Sequence, residues 1–112
     1  MIYITGDLHG NPCRLKKEEL KKAGITIKAG DYIIICGDFG CVWGGVLKEK
    51  NAKALEILEA QPFTTLFIDG NHENFDLLNA LPVKEWHGGK VHKIRNNILH
   101  LMRGEIFDIE GK

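Results

Sequence analysis

Three short polar clusters, each directly after an apolar run, constrain this chain more than any other feature. They read GDLHG at 6–10, GDFG at 37–40 and GNHE at 70–73, and their leading glycines are 31 and 33 residues apart. The preceding runs at 2–5, 32–36 and 65–68 are short and apolar, which predicts buried strands. Because parallel strands present their carboxyl ends at one edge of a sheet, we expect the clusters to converge there.

The segments between and after these strands indicate an α/β fold. Helices are predicted at 11–22, capped by Asn11 and stopped by Gly24, and at 47–60, with a short one at 73–79. Strands are predicted at 91–94, 98–102 and 105–109, joined by turns at Asn96-Asn97 and Arg103-Gly104. With 112 residues, we expect one domain with a mixed sheet, helices on one or both faces, and an antiparallel tail.

The side chains in the clusters suit a divalent metal site. Asp7 and His9 are two residues apart on one extended segment, so both can point to the same side and chelate an ion. Asp38 would arrive from the neighbouring strand and bridge two ions, while Asn71 offers a carbonyl oxygen to the second. His72 is left to bind or protonate a substrate oxygen. Mixed oxygen and nitrogen donors favour Mn, Fe, Co, Zn or Ni over calcium.

The set GDLHG, GDFG and GNHE, in this order after three strands, resembles the calcineurin-like metallophosphoesterase family over residues 1–74. The resemblance implies a two-metal phosphoesterase acting on phosphomonoesters or phosphodiesters through a metal-activated hydroxide. It implies that Asp7 and His9 bind one metal, that Asp38 bridges the pair and that Asn71 binds the other. His72 would contact the scissile phosphate and assist the leaving group.

The resemblance also implies a larger fold, a four-layer αββα sandwich whose second half supplies further histidines in Gly-His and Gly-His-x-His motifs. Neither motif occurs here, so we expect residues 1–112 to be the N-terminal portion of that domain. The sheet face that would meet the second sheet should then be apolar and exposed, which favours a homodimer through that face. Cys41-Val42-Trp43 replaces the Asp-Arg extension of phosphoprotein phosphatases, which argues against that subgroup.

The composition of the chain limits the classes of binding partner and the cellular compartment that we expect. Fifteen basic residues balance fifteen acidic ones, so the chain carries no strong nucleic-acid signal. No apolar run approaches the roughly 18 residues of a membrane span. Three cysteines without a CxxC pair argue against a disulfide framework. We therefore expect a cytoplasmic protein whose ligand is a phosphoester substrate.

Two alternatives and three histidines stay open. One alternative is a catalytically inactive half-domain that binds one ion through Asp7, His9 and Asp38 and acts in assembly. The other is a nucleotide-binding module, which the absence of GxGxxG and GxxxxGK[ST] disfavours. His92 and His100 fall in predicted strands and are interpreted as structural. His87, in a glycine-containing loop, is interpreted as a residue near the pocket rather than a ligand.

Overall fold

A computed structural model of the chain describes residues 1–42, 48–70 and 75–112. These residues form a sheet of six strands in the order β1-β2-β3-β6-β5-β4. The strands are β1 (Ile2–Thr5), β2 (Tyr32–Cys36), β3 (Thr64–Ile68), β4 (Val83–Trp86), β5 (Gly89–Arg95) and β6 (Ile98–Leu101). The pairs β1–β2, β2–β3 and β3–β6 are parallel, whereas β4–β5 and β5–β6 are antiparallel. The predicted α/β fold with a mixed sheet is confirmed.

The described helices are α1 (Lys17–Lys22), α2 (Lys48–Glu59) and α3 (Phe75–Asn79), with a 3-10 turn at Cys13–Leu15 before α1. Side chains from all three helices join one core cluster with the side of the sheet that carries Ile33, Ile35 and Phe67. The helices therefore cover one face of the sheet. Within the described part of the chain, no helix is long and apolar enough to cross a membrane.

The first predicted helix is interrupted. Lys16 is extended, with φ −62° and ψ 141°, and separates the 3-10 turn from α1. Asn11 caps the turn as expected, because its Oδ1 accepts a hydrogen bond from the Cys13 N–H at 3.1 Å. Gly24, at φ +86°, ends α1: its N–H donates to the Lys21 carbonyl and the next N–H reaches the Leu20 carbonyl. This pair of bonds is a Schellman motif, which requires the left-handed conformation that glycine adopts most readily.

The tail differs from the prediction in two places. The predicted strand at 105–109 is wrong, since this segment has no ladder and is tied to the β4–β5 hairpin by separate hydrogen bonds. One joins the Lys90 N–H to Glu105 Oε1 at 2.9 Å, and another joins the Asp108 N–H to the His87 carbonyl at 3.0 Å. The strand β4 was not predicted, because VKEW alternates weakly and lies at an edge with mostly exposed side chains.

The face opposite the helices is covered over part of its area. Leu66, Leu99 and Leu101 are buried there beneath Phe107 and Ile109 of the C-terminal segment. Nearer the carboxyl ends of β1 and β3, Ile4 is 70% exposed and Ile68 is 43% exposed. The expectation of an exposed apolar face is therefore confirmed for Ile4 in β1 and for Ile68 at the end of β3, and wrong for β6, which the C-terminal segment shields.

Asn97, in the turn between β5 and β6, should contribute strongly to stability. Its Nδ2 lies 3.1–3.3 Å from four carbonyl oxygens, those of Leu58, Glu59, Gln61 and Phe63. Its two N–H bonds are thereby shared among carbonyls at the end of α2 and in the turn that follows it. We expect Asn97→Ala to lower the free energy of unfolding by about 1–3 kcal/mol.

Urea denaturation measures this loss, and Asn96→Ala is its matched control because Asn96 is the exposed residue of the same turn. Equal stability of the two variants would contradict the capping role of Asn97.

Candidate metal centre

The loops after β1 and β2 are joined by backbone hydrogen bonds. The N–H groups of Leu8 and His9 both donate to the Asp38 carbonyl, at 3.1 and 2.8 Å, and the Gly10 N–H donates to the Phe39 carbonyl at 2.9 Å. These bonds continue the parallel pairing of β1 with β2 beyond the ends of the strands. The first two motifs are therefore fixed to each other before any ligand binds.

This arrangement brings Asp7, His9 and Asp38 together. His9 Nε2 lies 3.5 Å from Asp7 Oδ2 and 4.0 Å from Asp38 Oδ2, and the three candidate ligand atoms are within 4.8 Å of one another. Bonds of about 2.0–2.2 Å place two ligand atoms of one ion roughly 3–4 Å apart. Both distances from His9 fall in this range, so the triad is a candidate site for a divalent ion. The donor set of two carboxylates and an imidazole suits a transition metal.

The burial of the triad is uneven. The Asp38 side chain is 8% exposed, whereas those of Asp7 and His9 are 50% and 57% exposed. Asp38 is thus held inside the loop junction, the hydrogen-bonded contact between the loops after β1 and β2, whereas the other two candidate ligands face solvent. An ion bound here would keep an open side from which a substrate can approach.

His9 and Asp38 both occupy the left-handed region of the backbone, with φ values of 48° and 46°. A residue with a Cβ adopts this conformation at a cost of roughly 1–2 kcal/mol. Such conformations concentrate at functional sites, where surrounding contacts hold them in place. Two candidate ligands therefore share a strained geometry.

The third motif begins at the same edge of the sheet. The Gly37 N–H donates to the Ile68 carbonyl at 3.0 Å, and a Cβ added to Gly37 would lie 3.6 Å from Asp7 Oδ1 and 3.7 Å from Gly70 Cα. Gly70 packs directly against Asp38, because a Cβ added there would overlap the Asp38 nitrogen and Oδ1. Asn71 and His72 lie outside the described residues.

Two residues that sequence reasoning missed support the loops. Arg14 Nη2 donates to the carbonyls of Gly6 and Asp7, at 2.8 and 2.6 Å, and so ties the first motif to the 3-10 turn. Asn51, buried in α2, donates from Nδ2 to the Gly40 carbonyl at 3.4 Å. Neither residue belongs to a recognisable pattern in the sequence, so only the tertiary contacts reveal these roles.

A second polar cluster, also missed, lies beside the triad. His100 Nε2 is 2.9 Å from Asp69 Oδ1, Arg103 Nε donates to Asp69 Oδ2 at 2.6 Å, and His92 Nδ1 is 2.9 Å from His100 Nδ1. Burial acts to raise the pKa of Asp69, but the hydrogen bonds from His100 and Arg103 outweigh it and lower that pKa. Asp69 is therefore an ionised, buried carboxylate with both oxygens occupied. His92 and His100 lie in strands, as predicted.

His92 should make the stability of the fold depend on pH. Burial, and then the charge of His100, lower the pKa of His92 below 6.5, with Asp69 opposing them. Because the unfolded chain binds this proton more readily, the contribution is complete above about pH 6.5 and is lost as the pH falls through the lowered pKa. Arg103 faces the same cluster through Asp69.

Urea denaturation at several pH values tests this dependence, with His92→Gln as the comparison. We expect the free energy of unfolding to fall less steeply on acidification in the variant than in the wild type. Identical slopes for the two proteins would contradict the assignment.

His87 does not join the site. It lies in the β4–β5 turn, its ring is 6.2 Å from that of Tyr32, and its Nδ1 is 3.0 Å from the Asp108 carbonyl. Tyr32 is the first residue of β2, whereas the triad gathers beyond the carboxyl ends of the strands. The expectation that His87 lies near the pocket is therefore wrong, because the hairpin packs over the opposite end of the sheet.

Comparison with known families gives one match. A sequence model described as calcineurin-like phosphoesterase matches residues 1–111, which extends the resemblance from the three motifs to the antiparallel tail. Comparisons with curated proteins and with solved structures gave no match.

Proposed function

The chain belongs to the calcineurin-like phosphoesterase family, and on that premise we propose that it is a divalent-metal-dependent hydrolase of phosphomonoesters or phosphodiesters. The observation that carries this proposal is the convergence of Asp7, His9 and Asp38 at one edge of the sheet. These residues come from two strands and their ligand atoms lie at distances suited to one ion. The third motif starts in contact with Asp38, which supports a single site built from all three motifs.

The proposed ligands divide between two ions. Asp7 and His9 would hold the first, Asn71 the second, and Asp38 would bridge them. Bound divalent ions supply Lewis-acid polarisation of phosphoryl oxygens and a hydroxide nucleophile at neutral pH. Mn, Fe, Zn, Ni and Co all accept this mixture of oxygen and nitrogen donors.

Side chains of the protein would position the ions, bind the phosphoryl group and transfer the proton. Asp38, buried and fixed by the loop junction, would set the position of the ions relative to the substrate. Asn71 and His72 would contact the phosphoryl group, and His72 would deliver a proton to the leaving-group oxygen. Asp38 and His72 are thus the proposed catalytic residues, and the exposed side of Asp7 and His9 is the proposed entrance.

Hydrolysis of an aryl phosphodiester in the presence of added Mn²⁺ tests the proposal. We expect product release that requires Mn²⁺, stops with a chelator and returns when the ion is restored. A folded chain that binds Mn²⁺ yet releases no product would contradict it. The assay should include an aryl phosphomonoester, because the relative rates would assign the substrate class.

A second candidate function is an inactive half-domain that binds one ion and acts in assembly. The cluster of Asp7, His9 and Asp38 supports it, because these three side chains are a candidate site for a single ion. Metal analysis of the loaded protein separates the two functions. Close to two ions per chain supports the hydrolase, whereas one ion without hydrolysis supports the half-domain.

We also propose that residues 1–112 are the N-terminal portion of the family's domain and that the chain forms a homodimer through the open sheet face. The exposed side chains of Ile4 and Ile68 support this pairing. Light scattering should give twice the 12.6 kDa chain mass, and Ile4→Glu should return the protein to a monomer. Ile106→Glu is the control, because Ile106 is 86% exposed and lies outside the strands of that face. A monomeric wild type would contradict the proposal.

A cytoplasmic location is part of the proposal. Cys13 and Cys36 are exposed free thiols, which fits a reducing compartment. The balanced charge gives no strong nucleic-acid signal, and the family supports a phosphoester as the ligand.

A further inference from the structure

The polar cluster beside the triad is defined here as the anchoring cluster, comprising Asp69, His92, His100 and Arg103. It lines a cavity of about 210 Å³ with Phe75, Asn79 and Met102. The side chains of Asp69 and His100 are 3% and 5% exposed, which is rare for a carboxylate unless it is paired. Stability alone does not account for a buried ionic group of this kind, because apolar residues of similar volume often give a fold of equal or greater stability.

The two carboxylate oxygens of Asp69 accept the hydrogen bonds that hold the anchoring cluster together. The Arg103 Nε donates to Asp69 Oδ2, and the second carboxylate oxygen, Oδ1, accepts from His100 Nε2. His100 and His92 share a further hydrogen bond between their Nδ1 atoms. The chain of bonds therefore runs from β5 through β6 to the end of β3.

The same residues connect to the triad through stacked rings. The ring of His100 stacks on that of Phe67 at 5.0 Å, and Phe67 stacks on Phe39 at 4.0 Å. Phe39 directly follows Asp38 in the sequence. The anchoring cluster therefore reaches the second motif through this column of rings.

The anchoring cluster is also connected to the third motif, here through the backbone. Asp69 precedes Gly70, which packs against Asp38. The Arg103 guanidinium bonded to Asp69 also lies 5.4 Å from the ring centroid of Phe75, the first residue of α3. Arg103 thus holds the end of β3 and the start of α3 at one point.

We propose that Asp69, His100 and Arg103 are positioning residues for the metal-binding triad. They fix the end of β3, so that Gly70 stays packed against Asp38 and this contact orients the Asp38 carboxylate. The expected change in Mn²⁺ affinity rests on the proposed function. The expected change in the hydrogen bonds of the loop junction does not. Groups that orient metal ligands from outside typically change metal affinity by about 10- to 100-fold when replaced.

Two substitutions at His100 separate positioning from simple packing. His100→Phe keeps the ring that stacks on Phe67 but removes both ring nitrogens, whereas His100→Gln keeps a donor that can reach Asp69. We expect His100→Phe to weaken Mn²⁺ binding at least about tenfold and His100→Gln to stay within about threefold of the wild type. Asp108→Asn, at an exposed carboxyl, is the control and should match the wild type.

Calorimetric titration with Mn²⁺ measures the affinities, and amide hydrogen exchange gives a readout that needs no metal. The His9 N–H donates to the Asp38 carbonyl and the Gly37 N–H to the Ile68 carbonyl at the end of β3. Both should exchange faster in His100→Phe and at the wild-type rate in His100→Gln. Wild-type affinity and exchange in a folded His100→Phe protein would overturn the proposal. A loss in His100→Gln that equals or exceeds the loss in His100→Phe would also overturn it, since the hydrogen bond to Asp69 would then not determine the affinity.

The wild-type protein supplies a third measurement. Nitrogen-15 NMR of the rings should show His100 protonated at Nε2, and a His100 ring without that proton would overturn the proposal. If the wild type binds no Mn²⁺, the proposed function fails while the exchange and tautomer measurements still decide the positioning role.

Discussion

Replacing Asp38 with asparagine should reduce Mn²⁺-dependent hydrolysis of an aryl phosphodiester by at least about 100-fold. Loss of a residue that only supports a ligand costs up to that factor, and Asp38 is itself a proposed ligand shared by two ions. Asparagine is the informative substitution because it tolerates the left-handed backbone at φ 46°, where alanine would add strain. It keeps the shape of the side chain but removes its charge and one ligating oxygen.

The stability of the variant distinguishes a lost ligand from a damaged fold. Asp7 and Asp38 place two carboxylates beside His9, and without metal their charges repel. Asp38→Asn should therefore be at least as stable as the metal-free wild type, while the rise in Tm that Mn²⁺ gives the wild type should disappear. Asp108→Asn serves as the control, with wild-type activity and a normal Mn²⁺ shift. Hydrolysis by Asp38→Asn within a few fold of the wild-type rate would exclude a bridging role.

The sequence predicted the three parallel strands well, because their apolar runs are uninterrupted and end at polar clusters that contain glycine. It did not predict how β6 is placed. The strand β6 pairs with β3 in parallel and with β5 antiparallel, which inserts it in the middle of the sheet. This pairing depends on which exposed strand edge β6 reaches as the chain folds. The periodicity of the β6 sequence carries no information about that edge.

The position of β6 also explains what could be predicted of the site. Asp7, His9 and Asp38 were identified because spacing within a motif and one rule about parallel strands bring them together. The bond between Asp69 and His100 joins residues 31 apart, and it exists only because β6 lies beside β3. A sequence pattern can therefore predict ligands within motifs, whereas the groups that hold those ligands depend on the sheet topology.

Gly70→Ala should destabilise the fold and the triad together. A Cβ at this position would overlap the Asp38 nitrogen and Oδ1 and lie 3.0 Å from its Cγ. Gly70 is not among the glycines with positive φ, so the cost is steric rather than conformational. The Asp38 backbone is tied to Leu8 and His9, which limits its movement. We expect the free energy of unfolding to fall by about 1–3 kcal/mol.

Gly6→Ala is the matched control, because Gly6 also lies between a strand and a proposed ligand motif. It has no atom within 4 Å of an added Cβ, and its φ is not positive. Alanine there should leave stability unchanged or raise it by about 0.4–1 kcal/mol, since it restricts the unfolded chain. Urea denaturation should thus show a loss of stability in Gly70→Ala and none in Gly6→Ala. Mn²⁺ titration should show a loss of affinity in Gly70→Ala alone. If Gly70→Ala bound Mn²⁺ like the wild type, the contact between Gly70 and Asp38 would have no part in orienting the carboxylate.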